Sequence, residues 1–334
     1  MTKKVADATG DMSQAIHRSY EGSIRTLNLG TRTIRTADGR IADTFDQEIN
    51  RTTRVAHPRR VDRERDWGYQ RSAVEENMAA RRLTDNLEQP EDMRDDIGKS
   101  TTHVELVGSD DGESNIYKPI RGEDGSDEIY EQYMKQPGAL TSREIAAYRL
   151  DEHLGFGRIP PTAMTEGRIF NGKPRGRGMI QQFVKSTFGR KYIKAYPEVQ
   201  QQQMAVLDYV MGNWDRHAGN YRSVDRDHHL DVVAIDHGRS FPESHRPLDI
   251  KVRSEFVAAH KGKTLDEDIL RSIRDVDQDR LRAGLGDAGL SSHAIDGALE
   301  RLNQIKNTGM IPESTNILRM PGQTVPIAEI AKQT

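Results

Sequence analysis

Three side chains in the stretch 208–241 have the types and spacing to handle a metal ion and a proton. Asp215 is followed five residues later by Asn220. Asp236 closes the apolar run Val232-Val233-Ala234-Ile235 and precedes His237-Gly238. An Asn and an Asp facing one cleft offer hard oxygen donors suited to Mg²⁺. A second Asp beside a substrate hydroxyl accepts or orients its proton. Together these are the needs of phosphoryl transfer, where the protein holds phosphates, fixes the metal and orients the nucleophile. On this reading Asn220 and Asp236 are the metal ligands and Asp215 acts on the hydroxyl.

The same chemistry needs a fixed positive charge at the phosphates and something to hold it. Lys118 sits in Asn115-Ile-Tyr-Lys118-Pro-Ile120, a strand-like run. Glu144 lies on the next helix-forming stretch and would pair with it. Glu144 also fits the acid of a capping box with Thr141, three residues earlier, and Glu152 is then the reserve partner. The turn-rich Gly108–Ser114 precedes the lysine strand. Its backbone N–H groups, at Ser109, Gly112 and Ser114, would cover the phosphates, although Asp110 and Asp111 would repel them if turned inward. Asp208, on the helix before the loop, reads as a structural partner rather than a catalyst. His228 and His229 form an exposed polar pair more readily than a metal site, and Trp214 reads as packing.

Secondary-structure signals arrange these residues as an α+β, two-lobed domain, with a small β-rich N-terminal lobe and a helical C-terminal lobe. His103–Val107 alternates like a strand, and Thr141–Leu154 carries a helical apolar face ended by Gly155. Short strands are expected over 163–165, 168–171 and 179–184. A helix opens at Pro197 with Met204, Leu207, Val210 and Met211 on one face. Strands at 221–224 and 230–235 flank a polar turn, and helices follow at 265–275, 279–285 and 291–305. Upstream, 71–87 reads as a helix with Val74, Met78 and Leu83 on one side, placed to dock on the domain.

Composition bounds the rest. The chain has 334 residues, 34% hydrophobic and 30% charged, with 49 Lys plus Arg against 52 Asp plus Glu and a net charge of −3. That balance gives no call for nucleic acid. Absence of cysteine excludes disulfides, thiolate zinc sites and cysteine nucleophiles and suits a reducing cytosol. Neither a signal peptide nor a membrane-length apolar run is readable, so a cytoplasmic protein without integral membrane contact is expected, delivery into a host cytosol included. Residues 1–98 read as a polar, partly disordered arm, 101–305 as the catalytic domain and 312–334 as a loose tail.

The motifs carry a resemblance. Asp215-Arg-His217-x-x-Asn220 followed by Ile235-Asp236-x-Gly238-x-x-Phe241 resembles the phosphatidylinositol 3-/4-kinase superfamily, type II phosphatidylinositol 4-kinases and HipA-like bacterial kinases in particular. Tyr117-Lys118-Pro119 and Arg143–Leu150 resemble the group's lysine strand and first N-lobe helix. The resemblance implies ATP with Mg²⁺, or Mn²⁺, and a nucleotide hinge over Gln181, Gln182, Phe183 and Val184. It implies that His217 touches the γ-phosphate or braces the loop. The acceptor it implies is a hydroxyl of a protein or of a phosphoinositide, with protein preferred because acidic residues dilute the cationic cluster Arg239, Arg246, Lys251 and Arg253. AMP transfer on the same scaffold and a non-catalytic nucleotide-binding adaptor are the alternatives.

Overall fold

The computed structural model describes residues 68–87, 103–123, 138–166, 169–170, 173–174, 176–188, 193–226, 229–243 and 248–318. The chain divides after Arg65, and every described residue belongs to the unit Asp66–Thr334. The expectations for residues 1–67, His228, Arg246 and 319–334 lie outside the described residues.

The first lobe is built on a five-stranded antiparallel sheet. In spatial order it runs β1 (Leu83–Asn86), β2 (Glu105–Ser109), β3 (Ser114–Pro119), β7 (Gly178–Gln182) and β4 (Thr162–Thr165). The intervening β5 (Ile169–Phe170) and β6 (Lys173–Pro174) form a separate hairpin. Strand β3 is central and alternates. Asn115 and Tyr117 are buried on one face, while Ile116 and Lys118 emerge on the other. Lys118 pairs opposite Met179, and Pro119 opposite Gly178. A side chain at Gly178 would collide with the Lys118 carbonyl, so glycine lets β7 pass close to the lysine strand.

The Tyr117 face is covered from upstream. Helix α1 (Ala73–Ala80) is N-capped by Ser72, whose hydroxyl accepts from Glu75 N. It packs with β1 to enclose Met78, Leu83, Val107, Tyr117, Ala163 and Ile180. The sequence predicts one helix over 71–87; the structure ends it at Ala80 and makes Leu83–Asn86 a strand. Pairing of Leu83 with Ser109 puts the leucine into the sheet's core, a tertiary gain that outweighs weak helical preference. Residues 68–87, assigned from sequence to the arm, thus belong to the folded unit.

Helix α2 (Ala139–Leu154) buries Ile145, Ala146, Leu150 and Leu154 and ends at Gly155 in the left-handed conformation. Its start is not a capping box. The helix begins at Ala139, and the Glu123 carboxylate accepts from Gly138 N, Thr141 N and Thr141 Oγ1 at 2.9, 2.9 and 2.7 Å. Glu144 is therefore not used as a cap.

The second lobe surrounds α3 (Glu198–Met211), whose Met204, Leu207, Val210 and Met211 are buried. A three-stranded sheet joins β8 (Thr187–Phe188), β9 (Tyr221–Arg226) and β10 (His229–Ala234) in the order β10-β9-β8. Then come β11 (Lys251–Val252) and α4 (Glu255–His260), followed by α5 (Glu267–Asp275), α6 (Gln278–Asp287) and α7 (Ser292–Thr308). Ser291 caps α7 as expected. The region from 312 is not loose throughout: β12 (Asn316–Ile317) pairs in parallel with β11, and Ile311 is fully buried. The architecture is α+β, with a first lobe built on the five-stranded sheet and a mainly helical second lobe around α3. Among the described residues no helix is long and apolar enough to cross a membrane.

Candidate active site

Lys118 emerges from β3 between two carboxylates. Its Nζ lies 2.7 Å from Glu144 Oε1 on α2 and 3.1 Å from Asp236 Oδ1. Burial favours the neutral amine, but Asp236 and then Glu144 outweigh it and push the Lys118 pKa up. Burial likewise raises Glu144, yet the Lys118 ammonium and a hydrogen bond from His237 hold it well below the usual carboxylate range. The second oxygen of Glu144 accepts His237 N at 2.9 Å, and His237 Nδ1 lies 3.3 Å away. His237 is fully buried, and burial lowers its pKa. Glu144 thus joins the lysine strand to the segment carrying Asp236.

Asp236 does not sit at a strand end. Strand β10 stops at Ala234, and Asp236 adopts a left-handed backbone with φ 57°. Such a conformation is uncommon outside glycine, asparagine and aspartate, and it turns the chain so that His237 N reaches Glu144. Phe241, at φ 55° and buried, closes the same segment.

The loop after α3 is fixed by a buried arginine. Gly212 ends the helix at φ 61°. Asp208, in the helix's last turn, accepts Arg216 Nε at 3.1 Å, Asn213 Nδ2 at 3.2 Å and Ser254 Oγ at 2.7 Å. Arg216 Nη1 then donates to the carbonyls of Asn220 and Ile235, the latter at 2.6 Å. Ile235 N returns a bond to Asn220 O at 3.1 Å. One guanidinium thereby sets Asn220 beside the residue preceding Asp236. Asp208 has the structural part its position suggests.

Asn220 Nδ2 donates to the Asp215 carbonyl at 2.8 Å, so the bond uses the amide nitrogen and not the oxygen, the atom able to ligate a cation. Asp215 N donates to Asn213 Oδ1 at 2.9 Å. Its carboxylate faces two arginines, with Arg253 Nη1 2.9 Å from Oδ1 and Arg239 Nη1 3.5 Å from Oδ2. Burial raises the Asp215 pKa; Arg239 and His217 pull against that, while Asp236 adds to it. Trp214, expected to be packing, lies under the Arg239 guanidinium at 5.3 Å. His217 Nδ1 accepts Gly219 N at 3.0 Å, so the ring braces the loop and carries its hydrogen on Nε2 when neutral.

The turn between β2 and β3 departs from the expected phosphate cradle. Ser109 N bonds Glu113 O, Asp110 N bonds Arg82 O, Gly112 N bonds Ser109 O, and Glu113 N bonds Asp111 Oδ1. Ser109 Oγ is spent on Asp111 and Glu113. The donors of Ser109 and Gly112 are thus satisfied within the turn. The acidic residues are also accounted for: Asp111 pairs with Arg81 at 3.0 Å, and Arg81 reaches Asn115 on the face of β3 opposite Lys118. Ser114 accepts Phe183 N at 3.0 Å, and Gln182 N bonds Pro161 O. Gln182, Phe183 and Val184 are half-buried where β7 leaves the first lobe.

Metal donors of the right chemistry are present. Among the described residues no group of three or more His, Asp or Glu forms an all-protein cage. Two oxygen donors, Asn220 and Asp236, are what Mg²⁺ takes when water and phosphates complete its shell. The residues present therefore fit a metal–nucleotide complex.

Arg216, His237, Arg253 and Arg239 shape this site, and the motif reading gave none of them a part in positioning its carboxylates. The position of Arg216 eight residues after Asp208 is a usable signal for a helix-to-loop tie. His237, between an Asp and a Gly, carries no local signal of its bond to Glu144.

Comparison with known proteins follows the same residues. A family model described as phosphatidylinositol 3- and 4-kinase matches residues 134–261, which hold Glu144, Asp215, Asn220 and Asp236 but not Lys118. Phosphatidylinositol 4-kinase gamma 4 of Oryza sativa subsp. japonica is 38% identical over 120 residues, covering 32% of this chain and 20% of its own. Phosphatidylinositol 4-kinase gamma 4 of Arabidopsis thaliana is 36% identical over 127 residues, covering 32% and 22%. The chain thus spans about a fifth of the length of these relatives. Among solved structures, the Golgi casein kinase with Mn/ADP bound aligns over 75% of this chain and 80% of its own, with TM-score 0.45 and 14% identity. The motif resemblance and the family match agree: residues 134–261 are similar to the phosphatidylinositol 3- and 4-kinases.

Proposed function

We propose that this chain is an ATP- and Mg²⁺-dependent kinase that transfers the γ-phosphate to a hydroxyl. The observation that carries the reading is Lys118 held between Glu144 and Asp236, at 2.7 and 3.1 Å. A cation pinned between carboxylates from a helix and from the segment after β10 is placed to engage phosphates at the junction of the lobes. Asn220 and Asp236 would hold the metal, which when bound neutralises charge on the phosphates. Asp215 would orient the acceptor hydroxyl and take its proton. His217 stiffens the loop between Asp215 and Asn220. Gln182, Phe183 and Val184 would flank the adenine.

Two acceptors are compatible with this chemistry. A protein hydroxyl is the one preferred from the sequence. A specific observation favours the second: Arg239 and Arg253 converge on Asp215 itself, so an acceptor with an anionic group beside its hydroxyl, such as a phosphoinositide, would meet two guanidinium groups. The names of the similar plant proteins point the same way.

Incubation with γ-labelled ATP and Mg²⁺, with a protein mixture, phosphatidylinositol vesicles or neither, tests both. Labelled phosphate on protein or lipid is expected, and the arm that labels identifies the acceptor. Addition of AMP by product mass would replace the reading with nucleotidyl transfer. Mg²⁺–ATP binding without transfer in any arm would replace it with a nucleotide-binding adaptor.

A further inference from the structure

We infer that residues 69–80 form a clamp on helix α2 and that Glu75 is the positioning residue through which the clamp keeps Glu144 against Lys118. The inference rests on the reading of Lys118 and Glu144 as the nucleotide anchor. Glu75 and Arg149 are both 1% exposed. Arg149 Nε lies 3.2 and 3.0 Å from the two Glu75 oxygens, and Nη2 lies 2.6 Å from Oε1. The same guanidinium donates to Gly284 O at 2.5 Å and Asp287 Oδ2 at 2.8 Å, both on α6. Tyr69 stacks on Arg149 at 4.6 Å, in space that a side chain at Gly284 would invade. Arg71 completes the cluster with Asp287 at 3.5 Å.

Arg149 and Glu144 are five residues apart on α2. At about 100° per residue they project from different faces of the helix. The helix is gripped on one side and presents its carboxylate on another. Turning it by one residue would withdraw Glu144 from Lys118 and tear the Arg149 charge from a buried partner, and a buried charge is held strictly because its unpaired state is so unfavourable. Arg143 adds a second hold, donating to Ser240 O at 2.7 Å. The Arg149 hold differs because its acid comes from a segment upstream of the sheet.

The test uses the full chain carrying Glu75→Gln, which keeps the shape and removes the charge. Lys118 is probed without nucleotide by an amine-reactive ester, its modification rate read by peptide mass spectrometry. KM for ATP and kcat are measured at a temperature where the variant's circular dichroism matches wild type. Faster Lys118 modification is expected, with KM for ATP raised and kcat/KM lowered by up to about 10²-fold, the penalty a small misplacement remote from the chemistry can carry. Tyr69→Ala, which leaves the ion pair in place, should move both readouts the same way by less, and it is the measured variant if Glu75→Gln does not fold. Unchanged Lys118 modification in a folded Glu75→Gln, or in Tyr69→Ala where only that variant folds, overturns the clamp. Changed modification in a chain whose wild type transfers no phosphate leaves the clamp standing and removes the kinase reading instead.

Discussion

At the scale of single residues, the two loop aspartates differ in what holds them. Asp236 is tied to Lys118 and lies beside Asn220 through the Arg216 staple, whereas Asp215 is tied to Arg239 and Arg253. Asp236→Asn removes a full charge from the metal donors, so Mg²⁺–ATP binding should weaken and turnover should vanish, with partial recovery in Mn²⁺. Asp215→Asn should keep Mg²⁺–ATP affinity within a few-fold and lose turnover by about 10²-fold or more. Calorimetric titration beside turnover checks both; the reverse pattern would exchange their roles. A third aspartate reports on stability. Asp151 is buried, and burial pushes its pKa up to about 7 against the bond it accepts from Ile159 N at 2.8 Å. A raised carboxyl pKa means the folded state binds more protons, so this group's contribution is fully present below about pH 3.9 and is lost as pH rises through about 7. Asp151→Asn mimics the protonated form. Its melting temperature should match wild type near pH 4 and exceed it at pH 8, by an amount equivalent to at most about 4 kcal/mol.

Among the elements, α2 shows where local sequence suffices and where it does not. Its apolar face and its terminal Gly155 are written within the helix, and so was its existence. Its start is determined by Glu123, which is distant in sequence and carries no local signature. Thr141 and Glu144 have capping-box spacing but lie inside the helix. Glu123→Ala should remove the acceptor for the backbone N–H groups of Gly138, Leu140 and Thr141 and for the Thr141 hydroxyl, and cost about 1–2 kcal/mol in thermal unfolding. The same division runs through the site. The structure brings Asp215, Asn220 and Asp236 to one place, as their spacing predicts, because a short loop and the Arg216 bonds to the carbonyls of Asn220 and Ile235 hold them together. The phosphate-covering part expected of Gly108–Ser114 was not legible as lost, because Ser109 N and Gly112 N bond within the turn and Asp110 N bonds Arg82 O, which composition does not reveal. Arg253 and Glu75 were invisible as partners because each meets its counterpart only through folding.

For the whole molecule, the consequence concerns where the folded unit begins. The motifs first appear after residue 101, yet Met78 and Leu83 fill the core over Tyr117, and Glu75 neutralises Arg149. A chain beginning at Asp66 keeps every described contact and should melt within a few degrees of the full chain. One beginning at Thr101 leaves Arg149 with a lost partner and bares one face of the sheet, and should unfold well below it, since breaking a buried pair alone costs about 3–5 kcal/mol. Differential scanning calorimetry of the two truncations distinguishes a unit that starts at 66 from one that starts at 101.

The bond between Asp208 and Arg216 has an evolutionary corollary. Both side chains are inaccessible to solvent, and neither has another formal charge to fall back on among the contacts described for it. Loss of either alone would strand the other's charge, at about 3–5 kcal/mol, in a chain whose whole margin is of the order of 10 kcal/mol. Replacement must therefore proceed in step. Across descendants of this fold the two positions should covary as a couple, arginine with acid or neither, while neighbours such as Ala218 drift independently; a lineage that keeps Arg216 opposite a small apolar residue at 208 would contradict this.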